Sequence, residues 1–219
     1  MQIVIGNVLS AAELADIRAV LAKTRFVDGR ETAGFAAREV KHNLQTSAAD
    51  PAVETARQMV KERLLANEVF ALAVRPKALS LMYSRYEPGM RYGQHVDDAI
   101  MGGMRSDVAF TLFLSEPESY DGGELMIDSA AGEDAIKLAP GALVAYPATS
   151  LHRVAEVTRG TRLAAVGWAR SLVRDAAQRE LLFDLDTARR TLFAQHGHSR
   201  EFDLVSKSLA NLLRMWAED

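Results

Sequence analysis

In Tyr86-Glu-Pro-Gly-Met-Arg-Tyr-Gly-Gln-His95-Val-Asp97 an imidazole and a carboxylate stand two residues apart just after a turn. In an extended strand residues i and i+2 face the same side, so His95 and Asp97 can present a nitrogen and an oxygen to one point. A third ligand follows in Ser150-Leu-His152-Arg-Val, at the expected head of a later strand. Two histidines and one carboxylate suit Fe(II) and leave positions open on one octahedral face. With neutral imidazoles this set offsets only half of the ion's charge, so an anionic chelating co-substrate is still attracted.

Arg162 follows His152 across Thr158-Arg-Gly160, on what reads as the next strand. Its guanidinium could hold the far carboxylate of a small dicarboxylate whose near end chelates the ion. Tyr86 can donate a phenolic hydrogen bond to that same carboxylate, although Tyr83 and Tyr92 lie close by in the chain. His-x-Asp by itself is more simply a hydrogen-bonded surface pair. The ordered addition of His152 and Arg162 is what makes it a site.

Positioning these groups requires a run of short strands, and the chain supplies one. Apolar or alternating runs at 70–75, 79–86, 91–96, 107–114, 124–128, 135–138, 142–146, 151–157 and 161–170 are separated by Glu87-Pro-Gly89, Asp121-Gly-Gly123, Pro140-Gly141 and Arg159-Gly160. This punctuation predicts a sandwich or barrel, and it leaves no room for the helical crossovers of a parallel sheet. Before it, Ser10-Ala-Ala-Glu13 reads as a capping box opening a helix over about residues 11–22. Residues 25–48 read as turns and short edge strands, and Asp50-Pro51 starts a helix with Val53, Ala56, Val60 and Leu64 on one face. After Ser171 the helical period returns, with one stripe of Leu181, Leu185, Ala188 and Leu192 and another of Val205, Leu209, Leu212 and Trp216. The expected organisation is a β domain with N-terminal helices over 1–170 and a helical extension over 171–219.

A chain of 219 residues with 48% hydrophobic content can bury a full core. Its formal net charge of -3 gives no reason to expect a nucleic-acid or membrane partner. The absence of cysteine excludes disulfides, thiolate catalysis and zinc-thiolate clusters, and it fits a reducing compartment. The start of the sequence shows no secretion signal and no apolar run approaches the ~20 residues of a membrane span, so the expected location is cytoplasmic.

Taken in order, His95-Val-Asp97, Asp121-Gly-Gly-Glu-Leu125, Pro140-Gly-Ala-Leu143, His152-Arg-Val and Gly160-Thr-Arg162 resemble the Fe(II)/2-oxoglutarate dioxygenases of the prolyl-4-hydroxylase-like superfamily. The likeness is nearest to the bacterial PKHD-type hydroxylases, some of them associated with iron uptake, and extends over the whole chain. It implies a mainly β fold with flanking helices, a double-stranded β-helix or jelly roll with a C-terminal helical unit. It further implies that His95, Asp97 and His152 ligate Fe(2+), that Arg162 binds the C5 carboxylate of 2-oxoglutarate with help from Tyr86, and that Trp168 closes the pocket wall. The activity implied is hydroxylation of a primary substrate using O2, with release of succinate and CO2 and with L-ascorbate as an auxiliary reductant.

Two other readings use the same ligands: a non-catalytic iron-binding or iron-sensing jelly roll, against which Arg162 argues, and a zinc hydrolase, for which no general base can be nominated. Elsewhere, Ala99-Ile-Met-Gly-Gly-Met-Arg105 is either a plain connection or a substrate lid. His196-Gly-His198 reads as a solvated helix break, and His42 has no evident partner. The C-terminal helices, with Phe202 and Trp216, are the expected contact of a homo-oligomer. The primary substrate, peptide or small molecule, is not legible.

Overall fold

The computed structural model describes residues 1–47 and 50–218. The N-terminal part comprises β1 (Ile3–Ile5), α1 (Ala11–Lys23), β2 (Phe26–Asp28), a 3-10 turn (Gly29–Thr32), α2 (Phe35–Val40), β3 (Lys41–His42), β4 (Leu44–Thr46), α3 (Pro51–Ala66) and α4 (Glu68–Val74). The β region follows as β5 (Pro76–Tyr86), β6 (Arg91–His95), β7 (Ile100–Met101), β8 (Met104–Arg105), β9 (Val108–Phe113), β10 (Tyr120–Gly122), β11 (Leu125–Ser129) and β12 (Gly132–Ile136). It ends with β13 (Leu143–Pro147), β14 (His152–Val154), β15 (Val157–Gly160) and β16 (Arg162–Ser171), before α5 (Ala176–His196) and α6 (Arg200–Trp216).

The strands form a jelly roll. A seven-stranded antiparallel sheet runs β1-β13-β9-β16-β5-β4-β2 and a five-stranded one runs β12-β11-β14-β6-β3. Alternation along β5 sets the two sides of the larger sheet: Leu81 and Tyr83 enter the core shared with the N-terminal helices, while Met82, Ser84 and Tyr86 line the cavity between the sheets. On the helical side Ile17, Leu21, Val53, Val60, Leu64 and Phe70 are fully or almost fully buried. Between the sheets Phe113, Val144 and Tyr146 of one meet Leu125, Ile127 and Val154 of the other.

Helix α1 starts with the expected capping box: the Ser10 side chain accepts from Glu13 N, and the Glu13 carboxylate accepts from Ser10 N at 2.8 Å. Helix α3 has Asp50 as its cap and Pro51 in its first turn. The run expected as a strand at 70–75 is instead helix α4. Apolar content alone cannot separate the two, and here Asn67 decides: its side chain accepts from Phe70 N, and Arg75 in the left-handed region at φ 48 ends the helix.

The expected strand 151–157 is divided into β14 and β15, because β15 leaves the smaller sheet to pair with β10. Arg159 and Gly160, expected as a turn, therefore lie in β15. Residues 25–47 hold the expected edge strands and, in addition, α2, and residue 48 lies outside the described residues. Residues 99–105 fold as a small hairpin, β7 paired with β8 around Gly102 and Gly103, both with positive φ. In the tail, α6 presents its expected stripe, whereas on α5 Leu182 and Leu185 make the contact and Leu181 points to solvent. The extension closes on itself where Val173 bridges Ala217, and it is tied to the β region by Arg105 Nη1, which donates to Glu218 Oε2 at 2.7 Å.

Candidate metal centre

His95 ends β6 and His152 opens β14, and the pairing of these strands sets the two residues opposite one another. Asp97 lies just beyond β6, and one ligand atom from each of the three falls within 4.8 Å of the others. Asp97 Oδ1 is 3.8 Å from His152 Nε2 and 4.0 Å from His95 Nε2. The Nδ1 of each imidazole faces a carbonyl, Gly93 O at 2.9 Å for His95 and Ser150 O at 3.0 Å for His152. A carbonyl only accepts, so Nδ1 must donate. In the neutral ring the lone pair then sits on Nε2, the atom turned toward Asp97.

Tyr92 stacks on His95 with centroids 3.6 Å apart and 15° between planes, which holds the ring orientation. Burial, followed by the neighbouring His152, lowers the His95 pKa to about 3, so this ligand is neutral at ordinary pH. Burial acts in the opposite direction on Asp97 and raises its pKa, since a carboxylate in this position lacks solvent. The neighbouring His152, and after it the Trp168 indole N–H as a donor beside the carboxylate, offset part of that. Two lone pairs and a desolvated carboxylate converging in this way fit a dication.

Arg162 opens β16 opposite Tyr86 of β5. It is 1% exposed, and its Nε, Nη1 and Nη2 have no hydrogen-bond partner among the described residues. The guanidinium lies over the rings of Tyr86 at 5.2 Å and Phe113 at 5.4 Å. The Tyr120 hydroxyl also lies near the guanidinium without meeting it in a well-formed hydrogen bond. A buried cation so poorly paired is strongly under-satisfied, and a carboxylate is its natural complement.

The Asp121-Gly-Gly-Glu124 segment makes room for Arg162. Gly123 has φ +68, and a Cβ there would stand 3.0 Å from Arg162 Cδ. One cavity of ≈ 110 Å³ is bordered by all three ligand residues, Arg162, Tyr86 and Trp168. The Asn43 carboxamide lies beside the buried Tyr86 hydroxyl, and its Oδ1 has no hydrogen-bond partner among the described residues. The phenolic O–H of Tyr86 can donate to an acceptor bound in the cavity.

Every site residue expected from the sequence thus borders this cavity. His42 lies outside its lining, and His198 stands exposed in the break after α5, with His196 ending that helix. The sequence reading missed Lys41, Asn43 and Gln45, which line the cavity from the segment joining β3 to β4. Their signal was present as polar residues at every second position, the spacing of one strand face. Met101 of the β7–β8 hairpin and Thr32, Gly34 and Ala37 near α2 also line the cavity.

Comparison with known proteins agrees with this geometry. The sequence profile of the 2OG-Fe(II) oxygenase superfamily matches residues 81–170, and that of the PKHD-type hydroxylase C-terminal domain matches residues 176–218. A solved prolyl-4-hydroxylase from Pseudomonas putida superposes with a TM-score of 0.54 at 22% identity, covering 78% of this chain and 92% of that one. At that identity the likeness concerns the fold, which is that of a 2-oxoglutarate oxygenase. A PKHD-type hydroxylase of Acaryochloris marina is 55% identical over 219 residues, 100% of both chains. Another from Maricaulis maris is 52% identical over 220 residues, again 100% of both. The chain belongs to the PKHD-type hydroxylases, and it is an Fe(II)- and 2-oxoglutarate-dependent hydroxylase.

Proposed function

We propose that His95, Asp97 and His152 are the iron ligands of this hydroxylase and that Arg162 holds the C5 carboxylate of 2-oxoglutarate. The observation that carries this is the meeting, in one cavity, of a three-ligand cluster with a buried guanidinium that has no hydrogen-bond partner among the described residues. When bound, Fe(II) with 2-oxoglutarate supplies the oxygen activation that couples loss of CO2 to hydroxylation of the primary substrate.

The chain's own groups orient that chemistry. Gly93 O and Ser150 O fix the ligand tautomers, and Trp168 fixes the Asp97 carboxylate. Arg162 anchors the co-substrate, with the Tyr86 hydroxyl as a second donor. Leu125, Val154 and Val166 add apolar wall, which strengthens the charge pairing there. The primary substrate enters between the α2 segment and the β7–β8 hairpin, where Phe35 and Ile100 stand exposed at 92% and 60%.

Residues 1–170 act as the catalytic domain and 171–219 as a helical extension. Exposed Leu181, Phe193, Leu204 and Met215 on that extension support self-association through it. The lack of cysteine supports a cytoplasmic setting, and no helix among the described residues is long and apolar enough to cross a membrane. Ascorbate, as the reductant that restores ferrous iron, is carried over from the family resemblance alone.

The assignment is tested by anaerobic addition of 2-oxoglutarate to the Fe(II) protein, followed by aerobic succinate measurement. Wild type should develop a metal-to-ligand charge-transfer band and form succinate. Asp97→Ala should do neither while keeping its circular dichroism. Succinate formation by Asp97→Ala at the wild-type rate would remove Asp97 from the ligand set.

A further inference from the structure

Lys41 is the second cation of the cavity, and the family chemistry leaves it without a task. The segment 41–46 passes from the smaller sheet, where Lys41 pairs with Tyr92 beside His95, to the larger one, where Gln45 pairs with Ser84. Lys41, Asn43 and Gln45 therefore form one polar wall of the cavity. Lys41 Nζ has a long hydrogen bond to Gln45 Oε1 at 3.4 Å and lies 5.2 Å from the centre of the Tyr92 ring. No carboxylate among the described residues lies within salt-bridge distance of it, and Asp28 is committed to Arg30. Burial lowers the Lys41 pKa, an effect countered in part by Asp97 and then Asp28.

A count of charge in the loaded site sharpens this. The ion's two charges and Arg162 are cancelled by Asp97 and the dianionic co-substrate, so Lys41 is left as the uncompensated charge of the interior. Asp98, the other acidic residue at the cavity, is exposed at its rim, where solvent screens it. A single ammonium with donors to spare matches one carboxylate, while the Gln45 amide, which donates to Thr32 Oγ1 at 2.6 Å, holds Lys41 through its oxygen; phosphate sites usually gather several cations or backbone amides.

We propose that Lys41, with Gln45 beside it, binds a carboxylate of the primary substrate and so selects acidic substrates for this hydroxylase. The proposal rests on the assignment of iron and 2-oxoglutarate made above. The carboxylate could belong to a free organic acid or to an acidic side chain of a peptide, and the same contact would serve either.

The test uses the full-length Fe(II)–2-oxoglutarate complex under argon and follows perturbation of its charge-transfer band. One arm titrates N-acetyl-L-amino acids against their carboxamides, which share shape and differ by one charge. A second arm titrates blocked tripeptides carrying Asp or Glu against those carrying Asn or Gln. Ligands that perturb the band should be carboxylates, binding at least about tenfold more tightly than their amides. That preference should vanish in Lys41→Met and persist in Lys41→Arg. The arm that responds tells free acid from acidic peptide.

Equal binding of acids and amides, retention of the preference in Lys41→Met, or a formed band that no carboxylate in either arm perturbs would each overturn the proposal. Failure of the wild-type band to form at all would instead overturn the iron and 2-oxoglutarate assignment beneath it.

Discussion

Replacing Arg162 with methionine separates what the guanidinium costs the fold from what it contributes to binding. The side chain is 1% exposed, and its three nitrogens have no partner among the described residues. Leaving a buried polar group unpaired costs about 1–3 kcal/mol. The two ring faces beside the guanidinium return about 0.5–1 kcal/mol each. Methionine keeps an unbranched stem that passes Gly123 and fills most of the same space.

The ligand-free variant should therefore match wild type or exceed it by up to about 2 kcal/mol, a rise of as much as roughly 4–8 °C in Tm for a chain of this size. Binding should move the other way. A co-substrate carboxylate left in the pocket without its cation loses about 2–5 kcal/mol, or roughly 30- to 5000-fold in Kd.

Both quantities come from one assay: thermal unfolding under argon with Mn(II) in place of iron, repeated across a 2-oxoglutarate titration. Wild-type Tm should climb with ligand concentration as expected for binding to the folded state, and the variant's should begin to climb only at concentrations at least about 30-fold higher. A ligand-free variant that melts well below wild type would refute the reading of Arg162 as an under-satisfied cation. A variant whose Tm still climbs with 2-oxoglutarate as wild type's does would refute its role as the anchor.

Trp168→Phe removes the indole donor from Asp97 while keeping an aromatic wall. Fe(II) affinity should fall by about 10- to 100-fold, measured by anaerobic competition with a chelator, and unchanged affinity would reduce Trp168 to packing. Glu13 is held at a pKa of about 2, below its ordinary 4.5, by the Ser10 backbone and hydroxyl and then by Arg63. A depressed carboxylate pKa contributes stability above the unfolded value and loses it as pH falls through the folded one. Glu13→Ala should thus cost on the order of 1 kcal/mol in urea unfolding at neutral pH. The gap from wild type should close progressively as the pH drops from 4.5 toward 2, and a gap independent of pH would point to packing instead.

Much of the site was legible because its rules are local. The His-x-Asp spacing announces two ligands although β6 ends at His95 and leaves Asp97 just outside it, Ser10 and Glu13 announce a helix start, and the glycine-bearing turns divide the strands. Apolar content was a poorer guide at 70–75, where helix and strand patterns coincide and Asn67 settled the matter through a cap. On α5 it placed Leu185 rightly but put Leu181 where Leu182 packs, since a helix takes its contact face from what it meets.

The sequence by itself determined which side chains could form a metal centre and, by family resemblance, the chemistry they serve. Only the tertiary structure decided that β14 pairs with β6 so that His152 meets His95, that the Arg162 guanidinium is buried without a hydrogen-bond partner among the described residues, and that Lys41, Asn43 and Gln45 bridge the two sheets as a wall of the cavity. The physical reason is that a two-residue period fixes the side a residue faces, while the strand lying beside it is chosen by pairing between segments distant in the chain.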